Sequence, residues 1–176
     1  MYESPAAWQR LMEVLVDATA RYLNGQIRAG AEAVQIFDSW VGALGPADYR
    51  AYVLPHMKAL FTKLSPNAPA IHFGTGTAAL LPLMREAGGD VIGLDWRVDL
   101  GEGWRALGHD VAVQGNLDPA VLLAPTPYIR KRAQAVLEAA GRRPGHIFNL
   151  GHGVHQHTPP EHVAALVDMV HELSAR

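Results

Sequence analysis

The chain has 176 residues, 49% of them apolar, and a formal net charge of −2 from 15 basic and 17 acidic side chains. That supplies apolar material for a globular core, and the mixed charges leave no basic patch for a nucleic-acid backbone and no polybasic stretch for a membrane surface. Cysteine is absent, which removes disulfides, thiolate nucleophiles, thiol redox chemistry and cysteine-ligated zinc.

The N-terminal MYESPAAWQR lacks the basic-then-apolar order of a signal peptide, and no apolar run approaches the roughly 20 residues needed to cross a bilayer. The expected location is the cytoplasm. A first helix is expected with Ser4 as N-cap and Pro5 at its first position, where a missing N–H costs no hydrogen bond. Its apolar face is read from Trp8, Leu11, Met12, Leu15, Tyr22 and Leu23, and Gly30 is its C-terminal cap. AVQIFDSW (Ala33 to Trp40) then reads as a buried strand with polar residues at its C-terminal end. The pattern returns in AIHFG (Ala70 to Gly74), DVIGLDW (Asp90 to Trp96), VAVQGNLDP (Val111 to Pro119) and HIFNLGHG (His146 to Gly153). Helix-like stretches separate these runs at about Pro46 to Leu64, Thr77 to Ala87, Leu100 to Leu107 and Pro125 to Ala140, and Pro160 to Leu173 follows the last.

Strands alternating with helices point to parallel βαβ units. Two architectures satisfy that pattern, an open doubly wound sheet and part of a (β/α)8 TIM barrel. No linker divides the chain, so residues 1–176 are expected to form one unit. A closed barrel takes about 250 residues, so a barrel reading makes this a partial one of about five βα units. In both architectures ligands bind beyond the C-terminal ends of the strands, where Asp38, Ser39, Gly74 to Thr77, Asp95, Asn116, Asp118 and His152 fall.

GTGTAA (Gly74 to Ala79) fits the G-x-G-x-x-G/A fingerprint between a strand and a helix, and Asp95 follows where a ribose-binding acid would stand. A nucleotide-binding oxidoreductase or methyltransferase using Gly74, Gly76 and Asp95 with NAD or S-adenosylmethionine is one reading; a tight strand-to-helix turn is the other. His152, His155 and His157 in GHGVHQH have enough imidazole for a metal, against a solvated loop for His155 and His157. His152, flanked by glycines, is placed to donate a hydrogen bond to an anion. Asp118 before Pro119 reads first as a cap, Asp95 equally as a site acid or a packed turn, and Asp38 with Ser39 as an acid and a hydroxyl. No elbow motif marks Ser39 as a nucleophile.

In order, QIFDSW, HFGTGT, GLDW, QGNLDP, FNLGHG and TPPEHVAALVDMVHE resemble the uroporphyrinogen decarboxylase family across nearly the whole chain. The resemblance implies the C-terminal half of a TIM-barrel homodimer, with the five apolar runs as barrel strands four to eight. It implies a carboxy-lyase that converts uroporphyrinogen III to coproporphyrinogen III, releasing four acetate carboxyl groups as carbon dioxide without metal or organic cofactor. By motif, Ser39 and His152 correspond to family residues that hydrogen-bond substrate carboxylates. The family's central aspartate and arginines belong to its N-terminal half, so no catalytic acid is expected in this chain. A non-enzymatic half-barrel is the remaining alternative, and open sheet edges imply self-association. The zinc-dependent methyl-transferring branch of the same fold commonly uses a cysteine ligand, which this chain lacks.

Overall fold

The computed structural model describes residues 1–175. Five parallel strands, β1 (Val34–Asp38), β2 (Ala70–Gly74), β3 (Val91–Gly93), β4 (Ala112–Leu117) and β5 (His146–Leu150), form one sheet in the order β1-β2-β3-β4-β5. The helices are α1 (Pro5–Arg28), α2 (Pro46–Tyr52), α3 (Leu54–Thr62), α4 (Leu81–Ala87), α5 (Leu100–Leu107), α6 (Thr126–Ala140) and α7 (Pro160–Ser174). The strand order decides between the two architectures. A doubly wound sheet reverses its order at a switch point; here every crossover steps the same way, and right-handed crossovers then put all the helices on one face. This is an arc of a barrel wall, and the open-sheet alternative is set aside.

Parallel register gives each face its residues. Phe37, Phe73, Gly93, Gln114 and Ile147 are successive partners across the sheet and line the concave face. Their neighbours Ile36, His72, Ile92, Val113 and Phe148 point outward to the helices. The helix side holds the core, with Ile92, Trp104, Met84, Leu81 and Tyr49 almost fully buried, and a second cluster of Leu117, Leu122, Ile129, Ala133 and Leu166 lies under α6 and α7. On the concave side Phe37 is 68% exposed and Ile147 44% exposed. These belong to the first and last strands of the arc, where no neighbouring strand curves over them.

Three expectations change in detail. The helix expected over Pro46 to Leu64 is broken at Val53, because Pro55 inside a continuous helix would remove a hydrogen bond and clash with the preceding turn; the chain restarts with Pro55 in the first turn of α3. Pro82 likewise sits in the first turn of α4, so the stretch from Thr77 opens as a 3-10 turn over Ala78–Leu80. On α1 the buried stripe is Val16, Ala20 and Leu23, with Trp8 and Ile27 packed beside it, whereas Leu11, Leu15 and Tyr22 are exposed. The apolar band is wider than the buried one, so periodicity alone assigned the wrong edge of it. Ser4 occupies the N-cap position without a side-chain cap bond, and Gly30 follows the Ala29 C-cap at φ +105°, a conformation suited to glycine.

Candidate functional site

The polar residues after the strands meet at one end of the sheet, and most of them bond to one another. Thr75 Oγ1 donates to the backbone oxygen of Ser39, joining the β1 and β2 loops. Gly42 lies against that turn so closely that a Cβ there would stand 2.1 Å from Thr75 O. Gly76, at φ +68°, turns its N–H onto Asp95 Oδ2 at 2.6 Å, joining β2 to β3. Asp95 also accepts from the Arg97 backbone N–H at 3.1 Å and from Arg97 Nη1 at 2.7 Å. Asn116, near the C-terminal end of β4, donates through Nδ2 to Asp95 O at 2.9 Å and Val98 O at 2.6 Å. Gly151 N donates to Leu117 O at 2.7 Å, closing the belt at β5.

This belt answers the nucleotide reading. Asp95 is fully buried, and its carboxylate is occupied by Gly76 and Arg97, so it has no free edge for a ribose. Gly76 spends its N–H on the same carboxylate, and the turn leads into a 3-10 segment before α4 begins at Leu81. A pyrophosphate cradle needs free N–H groups at a helix N-terminus directly after the glycines. Gly74, Gly76 and Asp95 build a packed turn.

The side chains of Ser39 and His152 stay outside the belt. Neither the Ser39 hydroxyl nor the His152 ring has a hydrogen-bond partner among the described residues, and both line one pocket of about 460 Å³. Its floor is apolar, with Phe37 and Phe73 edge to face at 5.8 Å, and Gln35 and Asn149 add neutral polar groups. The lining carries no carboxylate. A larger hollow of about 740 Å³ beside Arg142, Arg143 and His146 lies at the opposite end of β5, between α6 and α7, away from the strand C-termini. Barrel ligands bind at the C-terminal ends of the strands, so the smaller pocket is the candidate site.

His152 is held by packing, its ring edge to face with Trp96 at 5.7 Å. That approach needs Gly151, where a Cβ would stand 2.3 Å from Trp96 N and 2.8 Å from Trp96 Cα. Gly151→Ala is therefore expected to cost about 1–3 kcal/mol in stability and to move His152 out of the pocket. Thermal melts together with ligand titration check both effects, and a variant as stable as its parent would show that the loop yields freely.

The other candidates separate. Asp38 shares the outward parity of Val34 and Ile36, burial pushes its carboxyl above the ordinary range, and it makes no bond to Ser39. Above it Tyr49 is fully buried, its hydroxyl pushed up by burial and then by Asp38. Asp118 is a cap, as expected, accepting from Ala120 N at 2.9 Å. His155 and His157 are exposed and adjacent, with ring centroids 5.3 Å apart, and among the described residues no three His, Asp or Glu side chains gather to hold a metal. Sequence reasoning placed Asn116 at the ligand-binding end of the strands without foreseeing its bonds to the β3 loop, and it missed Arg97. For Arg97 the available signal was the acid–aromatic–cation triplet Asp95-Trp96-Arg97 at a strand end.

A family model described as "Uroporphyrinogen decarboxylase (URO-D)" matches residues 1–173. Proteins named uroporphyrinogen decarboxylase align over nearly the whole chain: that of Carboxydothermus hydrogenoformans is 54% identical over 99% of this chain and 50% of its own length. That of Thermus thermophilus is 56% identical over 99% of this chain and 51% of its own, and that of Streptomyces griseus 54% identical over 100% and 48%. The chain thus spans about half the length of the curated relatives it matches. Among solved structures, a methyltransferase from Methanosarcina mazei superposes with a TM-score of 0.82 at 22% identity, covering 93% of this chain and 48% of that one. At that identity the likeness shows the fold alone.

Proposed function

The chain belongs to the uroporphyrinogen decarboxylase family, and on that premise we propose that it supplies the substrate-holding arc of a cytoplasmic, homodimeric decarboxylase. The reaction is the cofactor-free conversion of uroporphyrinogen III to coproporphyrinogen III. At each acetate a proton added to the pyrrole carbon makes the ring an electron sink, the C–C bond to the carboxylate breaks, and carbon dioxide leaves. The remaining methylene is then protonated to a methyl, and the ring proton is released. The arc corresponds to barrel strands four to eight, and the groups that move protons lie on other strands of the barrel.

One observation carries this reading: the Ser39 hydroxyl and the His152 ring stand unpartnered in a pocket that has an aromatic floor and no carboxylate in its lining. A substrate with eight carboxylates needs donors without competing anions, and a macrocycle of pyrroles suits a Phe37–Phe73 floor. Preorganised positioning and electrostatics of this kind supply acceleration without a chemical role for either residue.

In a complete decarboxylase, Ser39→Ala and His152→Ala are each expected to weaken substrate binding about tenfold, the loss of one charge-assisted hydrogen bond, and to change the single-turnover rate less. Stopped-flow binding and single-turnover measurements separate the two. Unchanged affinity with a large fall in rate would remove both residues from the binding role.

The outer edges of β1 and β5 are unpaired in the arc, and Leu11, Val14, Leu15 and Tyr22 expose an apolar stripe on α1. Unpaired edges and apolar stripes of this kind recruit partners. The isolated chain is expected to elute as a dimer or larger species in size-exclusion chromatography with light scattering. A stable monomer would contradict this.

A further inference from the structure

Arg97 is not among the residues that the family motifs single out, yet it is a cation held at the C-terminal end of the sheet, just outside the lining of the pocket that holds Ser39 and His152. Its guanidinium lies 3.9 Å from the centroid of the Trp96 ring, the same ring that packs against His152. Nη1 is fixed at 2.7 Å from Asp95 Oδ2, and the Asp95 side chain is fully buried, whereas Arg97 keeps 53% of its side-chain surface exposed. Its backbone N–H is bonded to the same carboxylate. The remaining guanidinium N–H groups have no partner among the described residues. An exposed arginine ordinarily loses much side-chain entropy on gripping a ligand; here the fork is already held by a buried anion on one edge and an aromatic face beneath. Asp95 is in turn fixed by Gly76 of the β2 loop, and Trp96 by its contact with Gly151 of the β5 loop, so the fork is positioned relative to both.

We propose that Arg97 is a third substrate-binding residue, gripping one carboxylate of the porphyrinogen with its free guanidinium edge beside His152. The proposal rests on the decarboxylase reading above and adds to it a guanidinium fork on the ring that packs against His152. A planar fork matches a carboxylate in two hydrogen bonds, which a lysine ammonium cannot reproduce. Asp95 then has two tasks, tying the loops together and holding the fork open toward the ligand.

The test is fluorescence titration of the chain with uroporphyrin III, the oxidised octacarboxylate, and with its uncharged octa-amide. Arg97→Gln is expected to weaken the octacarboxylate about tenfold and to leave the octa-amide within twofold, a selective loss that a merely structural role would not produce. Equal losses for both probes, or an octacarboxylate affinity within twofold of the parent, would overturn the proposal. If Arg97→Gln does not fold, as judged by circular dichroism, Arg97→Lys is read in its place because it keeps a cation beside Asp95. A threefold or greater loss confined to the octacarboxylate supports the fork, and parity overturns it. If the unsubstituted chain binds neither probe, the substrate reading falls and this inference with it. If it binds, and Ser39→Ala and His152→Ala weaken it while the Arg97 variants do not, only this inference falls.

Discussion

Asp95→Ala is expected to destabilise the chain by roughly 3–4 kcal/mol and to abolish tight binding of a porphyrin octacarboxylate. The carboxylate is fully buried and accepts three hydrogen bonds, from Gly76 N, Arg97 N and Arg97 Nη1. Hydrogen bonds to a charged group contribute about 1.5–3 kcal/mol each, and a buried N–H left without a partner adds its own cost. Arg97 can turn to water, so its share is small; Gly76 sits in a turn packed on Gly42 and has less room to do so. For a domain of this size the loss corresponds to a melting point lower by roughly 10 °C. Binding falls further than stability alone requires, because the β2 loop, which holds Ser39 through Thr75, loses its tie to the β3 loop, and Ser39 is no longer fixed relative to His152. Asp95→Asn keeps the volume but sets an amide N–H among donors, and it should recover less than half of the loss. A variant within 1 kcal/mol of the parent in urea unfolding would mean that the belt does not hold the mouth.

The same residue marks where sequence reasoning stops. The five strands were legible because each is a short apolar run closed by polar or glycine residues, and α5 was legible to its ends because Asp99 caps it and Gly108 follows. Strand order was not legible. Nothing within AIHFG or HIFNL states which neighbour it pairs with, and only the sequential order separates a barrel arc from a doubly wound sheet. The motifs singled out Ser39 and His152, and the fold sets both along one pocket. Asp95 was left even between a site acid and a packed turn, since its partners Gly76 and Asn116 stand about twenty residues away on either side. Gly42 and Gly151 were invisible for a related reason. A glycine in a loop states that a side chain is missing, not that another loop's backbone occupies the space.

Lowering the pH from 7 to 5 is expected to remove roughly 2 kcal/mol of stability through His72 alone. His72 lies on the helix side of β2, fully buried, with its ring 5.1 Å from that of Phe61 and no hydrogen-bond partner for either ring nitrogen. Burial pushes it from 6.5 down to about 4. The unfolded chain therefore takes up a proton near pH 6.5 while the native chain resists until about pH 4, so the unfolded state binds more protons throughout that window. Stability is complete above the unfolded value and declines as the pH falls toward the folded one. Burial also lowers His56 and His146, which adds to the loss, whereas Asp38, raised by burial, works in the opposite direction at the acid end. The paired carboxylates of Asp17, Glu86 and Asp110 are held below their usual range, so they titrate beneath this window. His72→Leu removes the ionisable group and a buried polar atom pair without a partner, so it is expected to flatten the curve between pH 7 and 5. Urea midpoints at the two pH values, for the parent and the variant, check the result. Equal pH dependence in both would place the acid sensitivity elsewhere and would mean that the ring of His72 is solvated in the native chain.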